Sequence, residues 1–162
     1  MPGLSEAALA RFVSRAKRAV KLRGEVSLLI TSDNELRRLN QRFRRNNKPT
    51  DVLSFPADDL CGNGLLGDVA ISAQTAIYNA QRLGHTAAHE VEILALHGIL
   101  HLAGYDHERD QGQMAAREAQ LRSALGLPMG LIERNIRSGR GSRQSRQPVR
   151  PREKRGTTPV SR

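Results

Sequence analysis

Hydrophobic positions divide the first 134 residues into eight segments of two kinds. Five segments repeat apolar residues at the spacing of helices with one buried face; they are about 5–21, a stretch that begins at Ser32, 73–83, 86–103 and 109–125. Three shorter segments alternate or run apolar as strands do; they are 25–31, 51–55 and 67–72. This order of elements predicts an α+β fold, in which a small mixed β-sheet packs against several α-helices.

Polar residues and glycines at the ends of these segments support the predicted helix boundaries. Ser5 is a suitable N-cap for the first helix, and Ser32 with Glu35 forms a capping box for the second. The second helix is then predicted to bury a stripe of three large apolar residues: Leu36, Leu39 and Phe43. Three helices end at a glycine, which adopts the left-handed backbone conformation without strain: Gly84, Gly104 and Gly126.

Composition narrows the class of protein. Hydrophobic residues make up 38% of the 162 residues and Trp is absent, so the core has to be built from aliphatic side chains. No apolar run approaches the roughly 20 residues of a membrane span, and the first residues lack the apolar core of a secretion signal. A single cysteine, Cys61, allows no internal disulfide. These features predict a cytoplasmic protein that does not enter a membrane.

The formal net charge of +10 is concentrated near the C-terminus. Residues 135–162 contain nine Lys or Arg residues against one acidic residue, and they are rich in Ser, Gly and Pro. Such a segment buries little apolar surface, which predicts a disordered basic tail after a domain of residues 1–134. A solubilising extension is one interpretation, and contact with RNA phosphates is the other. The tail residues predicted to bind RNA are Arg137, Arg140, Arg143, Arg146, Arg150 and Arg152.

Three histidines lie within the segment HGILHLAGYDH, residues 97–107. His97 and His101 are four residues apart and therefore share one face of a helix. Gly104 ends that helix and lets the chain reverse, so that His107 can turn back toward the first two. Three imidazoles with an open fourth position are the ligands of a catalytic zinc ion rather than of a closed structural site, which predicts one Zn²⁺ per chain. Unligated core or surface histidines are the alternative.

The spacing of this segment equals that of the metzincin peptidase motif H-E-x-x-H-x-x-G-x-x-H, with one difference. Gly98 stands where those peptidases have the glutamate that serves as general base, which argues against a peptidase. Glycine costs a helix about 1 kcal/mol relative to alanine, and its expected benefit here is room for a bulky group to approach the metal. A second pair four residues apart, His85 and His89, has no third partner nearby and is predicted to lie at the surface.

Three separated segments resemble those of one bacterial family. HGILHLAGYDH is similar to the signature H-G-x-L-H-L-x-G-Y-D-H of the YbeY family, the rRNA maturation endoribonucleases. LNQRFRRNNKPTDVLSFP (39–56) and LLGDVAIS (65–72) are similar to two further segments of that family. Met114 and Glu118 fall where its last helix has Met and Glu. The resemblance covers about residues 25–127, in the family's order, and leaves out the basic tail.

The resemblance implies a single-strand-specific, zinc-dependent endoribonuclease that matures the 3′ end of small-subunit rRNA and acts in ribosome quality control. It implies metal ligation by the three histidines and a functional role for Arg44. It also implies contacts with the small ribosomal subunit, a small-subunit ribosomal protein and a ribosome-associated GTPase. Two alternatives stay open: a ribosome-assembly factor that binds RNA and holds a structural metal, and a zinc peptidase.

Other polar residues suit chemistry on RNA. Arg44 carries a fork of N–H donors that can clamp a phosphate and stabilise its developing charge, and Lys48 could add a contact to the RNA backbone. Three aspartates could accept a hydrogen bond from the far nitrogen of a ligand histidine, although each is also a common turn residue: Asp51, Asp68 and Asp106. Water and a ribose 2′-hydroxyl both stay open as the nucleophile, and the general base is unassigned.

Overall fold

In the computed structural model, which describes residues 3–57 and 64–128, helices pack on both faces of a three-stranded sheet. The helices are α1 (Glu6–Ala19), α2 (Asp33–Arg44), α3 (Ala73–Leu83), α4 (Ala87–Leu102) and α5 (Gln113–Leu125). The strands are β1 (Glu25–Thr31), β2 (Val52–Pro56) and β3 (Leu65–Ser72). The predicted tail of residues 135–162, with the six arginines predicted to bind RNA, and Cys61 lie outside the described residues.

The sheet is mixed, with β3 in the centre. β1 pairs with β3 in parallel, β2 pairs with it antiparallel, and the order is β1-β3-β2. The predicted α+β class and small mixed sheet are therefore confirmed. Among the described helices, none combines the length and the apolar composition that a membrane span requires.

The two faces of β3 enter two separate hydrophobic clusters. Val69 and Ile71 face the main core, to which α1 and α4 contribute most of the side chains. Ala70 faces the opposite side, where it meets Leu36 of α2 and Leu53 of β2. This alternation follows from the pleat of a strand, and full burial of each large aliphatic side chain stabilises the fold by about 1.5–3 kcal/mol.

Helix α4 is the central element of the larger cluster. Residues 93–100 are all buried, so this stretch is surrounded by other elements on every side. Its first turn is capped by Thr86, whose hydroxyl accepts a hydrogen bond from the backbone N–H of His89 at 3.1 Å. Any functional residue in the last two turns of α4 is therefore carried on a fixed support.

Several predicted helix ends are confirmed. The hydroxyl of Ser5 accepts from the N–H of Ala8 at 3.1 Å, and that of Ser32 accepts from the N–H of Glu35 at 3.2 Å. The Glu35 carboxylate pairs with Arg38 instead of returning to Ser32, so the expected capping box is half formed. The glycines after α3, α4 and α5 all adopt positive φ: Gly84, Gly104 and Gly126.

The start of the last helix was predicted too early. α5 begins at Gln113, not near residue 109, because Asp110 closes a turn before it. The Asp110 carboxylate accepts hydrogen bonds from the N–H groups of Met114 at 2.7 Å and Gly112 at 2.8 Å. These bonds, that of Met114 first, hold the pKa of Asp110 below its usual value.

The buried stripe predicted for α2 is wrong at its last member. Leu36 is fully buried and Leu39 is partly buried, but Phe43 is 58% exposed. The predicted helical spacing of these three residues on α2 was correct. Leu36 lies over the middle of the sheet, whereas Phe43 meets Phe55 near the end of the edge strand β2, where the sheet no longer covers it.

Candidate metal centre

Helix α4 places the first two histidines of the cluster. His97 and His101 lie one turn apart, and their ring centroids are 4.8 Å apart. His97 is 4% exposed because it lies in the buried stretch of α4, while His101 in the last turn is half-buried. The helix thus presents one imidazole from the core and one at the edge of a cavity.

The turn after α4 brings in the third histidine. Gly104 has a φ of 90°, and its N–H donates to the carbonyl of His101 at 3.0 Å. The N–H of Tyr105 donates to the carbonyl of Leu100 at 3.1 Å, which folds the chain back over the helix end. The ring centroid of His107 then lies 5.2 Å from each of the other two rings. The expected return of His107 is therefore present.

This geometry fits a zinc ion. One nitrogen of each histidine lies within 4.8 Å of the others, and the Nε2 atoms of His97 and His101 are 3.2 Å apart. Tetrahedral nitrogen ligands at zinc distances are separated by about 3.4 Å, so small rotations of the rings suffice to bind the ion. Three imidazoles leave a fourth position open, as in catalytic rather than structural zinc sites.

Glu118 of α5 determines how His97 is oriented. Its carboxylate lies 3.0 Å from Nδ1 of His97, and both side chains are almost completely buried. The partner assigns the proton to Nδ1, so that the lone pair of Nε2 points toward His101. A carboxylate in this position also makes the imidazole a stronger metal ligand.

The electrostatics of the cluster favour the uncharged form of His101. Burial, together with the neighbouring His97 and His107, lowers the pKa of His101 to about 4. A hydrogen bond to the backbone of Tyr105 and the charge of Asp106 oppose this shift and are outweighed. At neutral pH His101 is therefore in the form that can ligate a metal.

Arg44 belongs to the same cavity as the histidines. Its Nη2 donates to the carbonyl of Ser54 in β2 at 3.3 Å, and its guanidinium lines a cavity of about 190 Å³ with all three rings. The hydroxyl of Ser54 donates to the carbonyl of Gly98 at 3.2 Å and so ties β2 to α4. The end of α2 and the middle of α4 are thereby held on either side of one small space.

One of three aspartates was predicted to accept a hydrogen bond from a ligand histidine. The carboxylate beside His97 belongs to Glu118 instead. Within the described ranges, no hydrogen bond joins Asp51, Asp68 or Asp106 to a ring of the cluster. Asp68 is exposed and absent from the cavity lining, whereas Asp106 accepts from the N–H of Glu108 at 3.1 Å. The local spacing of Met114 and Glu118 on α5 signals one buried face, but the partner of Glu118 is 21 residues away in sequence.

Two carboxylates line the histidine cavity without bonding to the rings. They are Asp51, at the start of β2, and Glu108, which directly follows His107. No role was predicted for Glu108 from its place in the sequence. Lys48 is exposed and lies outside this lining, and its carbonyl accepts from Asn40 at 2.8 Å.

Two neighbouring cavities share lining residues with the histidine cavity. Arg44, Ser54 and His107 also line a neighbouring cavity of about 390 Å³, which extends past Tyr105. On the other side, Thr50 and Asp51 also line a cavity of about 470 Å³ that reaches the N-terminal half of α2 and the C-terminal half of α3. The histidine cavity therefore shares lining residues with both neighbouring cavities, and the three cavities together are called the groove below.

Two predictions near the cluster are wrong. Gly98 does not make room at the metal; a Cβ there would lie 2.5 Å from Cγ1 of Val69 and 3.1 Å from Oγ of Ser54. Glycine is required because α4 approaches the sheet closely. His89 is exposed as expected, but His85 is largely buried and its Nε2 lies 2.7 Å from the carboxylate of the fully buried Glu90. A buried carboxylate needs such a partner.

Comparison with known proteins adds a family to this geometry. A family profile described as Endoribonuclease YbeY matches residues 4–126. A Koribacter versatilis protein named Endoribonuclease YbeY is 53% identical over 137 residues, which cover 85% of this chain and 88% of that protein. A Solibacter usitatus protein of the same name is 50% identical over 131 residues, which cover 81% and 86%.

A solved structure supports the same relationship. The solution structure of a Thermotoga maritima protein superposes with a TM-score of 0.51 at 27% sequence identity. The superposition covers 91% of this chain and 95% of that protein. The fold described above is thus similar to an experimentally determined one over most of its length.

Proposed function

This chain belongs to the endoribonuclease YbeY family, and we propose that it is a zinc-dependent endoribonuclease that cuts single-stranded RNA in the histidine cavity. The observation that carries this proposal is the convergence of three histidine nitrogens within 4.8 Å beside the guanidinium of Arg44. A metal-ligand set and a phosphate-binding group in one cavity are the two components that hydrolysis of a phosphodiester needs.

The residues around the scissile phosphate have different roles in the proposed reaction. Arg44 binds a non-bridging phosphate oxygen and stabilises the charge that develops there. Asp51 and Glu108 are the carboxylates in the lining that can accept a proton from the attacking hydroxyl or water. Glu118 keeps His97 in one orientation. A zinc ion held by the histidines supplies Lewis acidity at the phosphate.

The shape of the groove supports cleavage within a single strand. A central cavity of about 190 Å³ admits a phosphate and part of a ribose but not a duplex. Because the groove continues past Tyr105 on one side and past Thr50 on the other, an RNA strand can extend in both directions from the cut. In an exonuclease, which acts on a free RNA end, the binding site would be closed on one of these sides.

The family motifs support a proposal for the biological substrate. We propose that the protein acts in the cytoplasm on the 3′ end of small-subunit rRNA and in ribosome quality control. The support is the likeness of residues 25–127 to the rRNA maturation factors. The tail arginines would add contacts to rRNA phosphates, and a small-subunit ribosomal protein and a ribosome-associated GTPase are the expected protein partners.

Metal reconstitution with two histidine variants tests the proposal. The full chain is stripped of metal, reloaded with zinc and incubated with single-stranded and duplex RNA of the same sequence. We expect zinc-dependent cuts within the single strand, loss of cleavage in His101→Ala, and retained cleavage in His89→Ala. His89 is a matched control because it is exposed and lies on the same helix.

Two outcomes would contradict the proposed zinc-dependent enzyme. If the metal-free chain cleaves RNA as fast as the zinc-loaded chain, the metal mechanism is wrong. If chelation unfolds the chain, and the zinc-loaded chain binds RNA without cutting it, the metal is structural and the protein is an assembly factor. The end groups identify the nucleophile, since attack by the 2′-hydroxyl leaves a cyclic phosphate and attack by water does not.

A further inference from the structure

An aromatic pair with one exposed ring lies on α2 and β2, the two elements that carry Arg44 and Ser54 of the cavity lining. Phe43, in the last turn of α2, is 58% exposed, and its ring centroid lies 5.2 Å from that of Phe55 in β2 with a 60° angle between planes. Each ring is the chain neighbour of a residue that lines the cavity, namely Arg44 and Ser54, and these two are joined by a hydrogen bond of 3.3 Å. Phe55 packs in the cluster under α2, on the face of β2 opposite to the Ser54 hydroxyl. The aromatic pair therefore lies around the edge strand from the histidines, one residue along each element from the cavity lining.

The surface around Phe43 is strongly basic. Residues 36–50 include six Lys or Arg residues, all exposed, and no acidic residue. The members are Arg37, Arg38, Arg42, Arg44, Arg45 and Lys48. The guanidinium carbon of Arg42 lies 5.3 Å from the centroid of the Phe43 ring. This surface has the positive charge that a phosphate backbone requires, together with an aromatic ring that charge alone does not explain.

We propose that Phe43, supported from behind by Phe55, is a stacking platform for an unpaired RNA base next to the cleavage cavity. In this arrangement Arg44 holds the phosphate that follows the stacked nucleotide into the cavity. Arg42, whose guanidinium lies over the Phe43 ring, is exposed and would swing off the ring to admit the base, whose other face it could then cover. The proposal rests on the proposed function, because it places part of the substrate beside the catalytic histidines.

Stacking on Phe43 would make the protein bind single-stranded RNA more tightly than duplex RNA. A base in a duplex has both faces covered by its neighbours, so it cannot stack on a protein side chain without being extruded. An unpaired base needs no such extrusion, and stacking on an aromatic side chain strengthens binding by about 5- to 150-fold per base. The preference would be independent of sequence, since every base has an aromatic face.

A binding cycle with and without bases isolates this contact. The full chain carries His101→Ala so that RNA stays intact, and its affinity is measured by fluorescence anisotropy. The probes are a single-stranded octanucleotide RNA and the same ribose–phosphate chain without bases. Phe43→Leu should weaken binding of the RNA by about 5- to 150-fold and leave binding of the baseless chain unchanged, whereas Phe43→Trp should restore RNA binding.

Tyr78→Leu is the matched control, because Tyr78 is 62% exposed but lies on α3 rather than beside the cavity. It should leave both affinities unchanged. The proposal is overturned if Phe43→Leu is folded and binds RNA as tightly as the parent, or if it weakens both probes equally. An equal loss in Tyr78→Leu would overturn it as well.

The proposed function and the platform can fail separately. If the zinc-loaded chain cuts no RNA, but the cycle still shows a base-dependent loss in Phe43→Leu, the platform stands and the proposed function is wrong. If the chain cuts single-stranded RNA normally and the cycle shows no such loss, the platform alone is wrong.

Discussion

Replacing Glu118 with glutamine removes the negative charge beside His97 while it keeps the shape of the side chain and one oxygen acceptor. Glu118 is 2% exposed, and its carboxylate lies 3.0 Å from Nδ1 of His97. Loss of such a partner typically weakens metal binding by about 10- to 100-fold, or about 1.4–2.7 kcal/mol. We expect zinc affinity to fall within that range in Glu118→Gln.

The same substitution should cost the metal-free protein less. A hydrogen bond to a charged acceptor is stronger than one to a neutral amide by about 1 kcal/mol, so the unfolding free energy should fall by about that amount. Zinc affinity is measured by competition with a chelator, and stability by denaturant unfolding in EDTA. The two measurements separate an effect on the metal from an effect on the fold.

Glu90→Gln is the matched control for this prediction. Glu90 is also a buried glutamate with a histidine partner, His85 at 2.7 Å, but it lies at the opposite end of α4. It should lose a similar amount of stability and keep its zinc affinity. A zinc affinity of Glu118→Gln within twofold of the natural chain would refute the reasoning, and equal weakening in both variants would show that the effect comes from general stability.

Three further predictions concern packing, the phosphate contact and the tail. Gly98→Ala should lower the unfolding free energy by about 1 kcal/mol. The added methyl group costs about 2 kcal/mol by overpacking against Val69, which exceeds the gain in helix propensity of about 1 kcal/mol. An unchanged denaturation midpoint would contradict this. Arg44→Lys should lose at least about tenfold in turnover of single-stranded RNA, since a point charge does not replace a bidentate fork. Arg11→Ala should be unaffected, because Arg11 is an exposed arginine on α1 that is absent from the cavity lining. Truncation after residue 134 should make RNA affinity less dependent on salt. The slope of log affinity against log salt concentration should become shallower by about 0.7 for each lost phosphate contact. An unchanged slope would make the tail a passive extension.

Local sequence patterns were enough to determine the secondary structure and the histidine cluster. Hydrophobic periodicity predicted each of the eight elements in residues 3–57 and 64–128, although it began α5 too early, because helices and strands impose different spacings on buried residues. The positions of His97 and His101 one helical turn apart, and of Gly104 before His107, are consequences of backbone geometry within eleven residues. Such short-range features follow from the chain itself.

Features that depend on distant residues were decided by the tertiary structure. Glu118 reaches His97 only because α5 packs against α4, and the requirement for Gly98 arises from Val69 in another element. Phe43 follows the helical period of a buried stripe yet remains exposed, because periodicity gives the face of a helix but not the extent of the sheet beneath it. Burial and hydrogen-bond partners are properties of the packed whole, so a local pattern could not assign them.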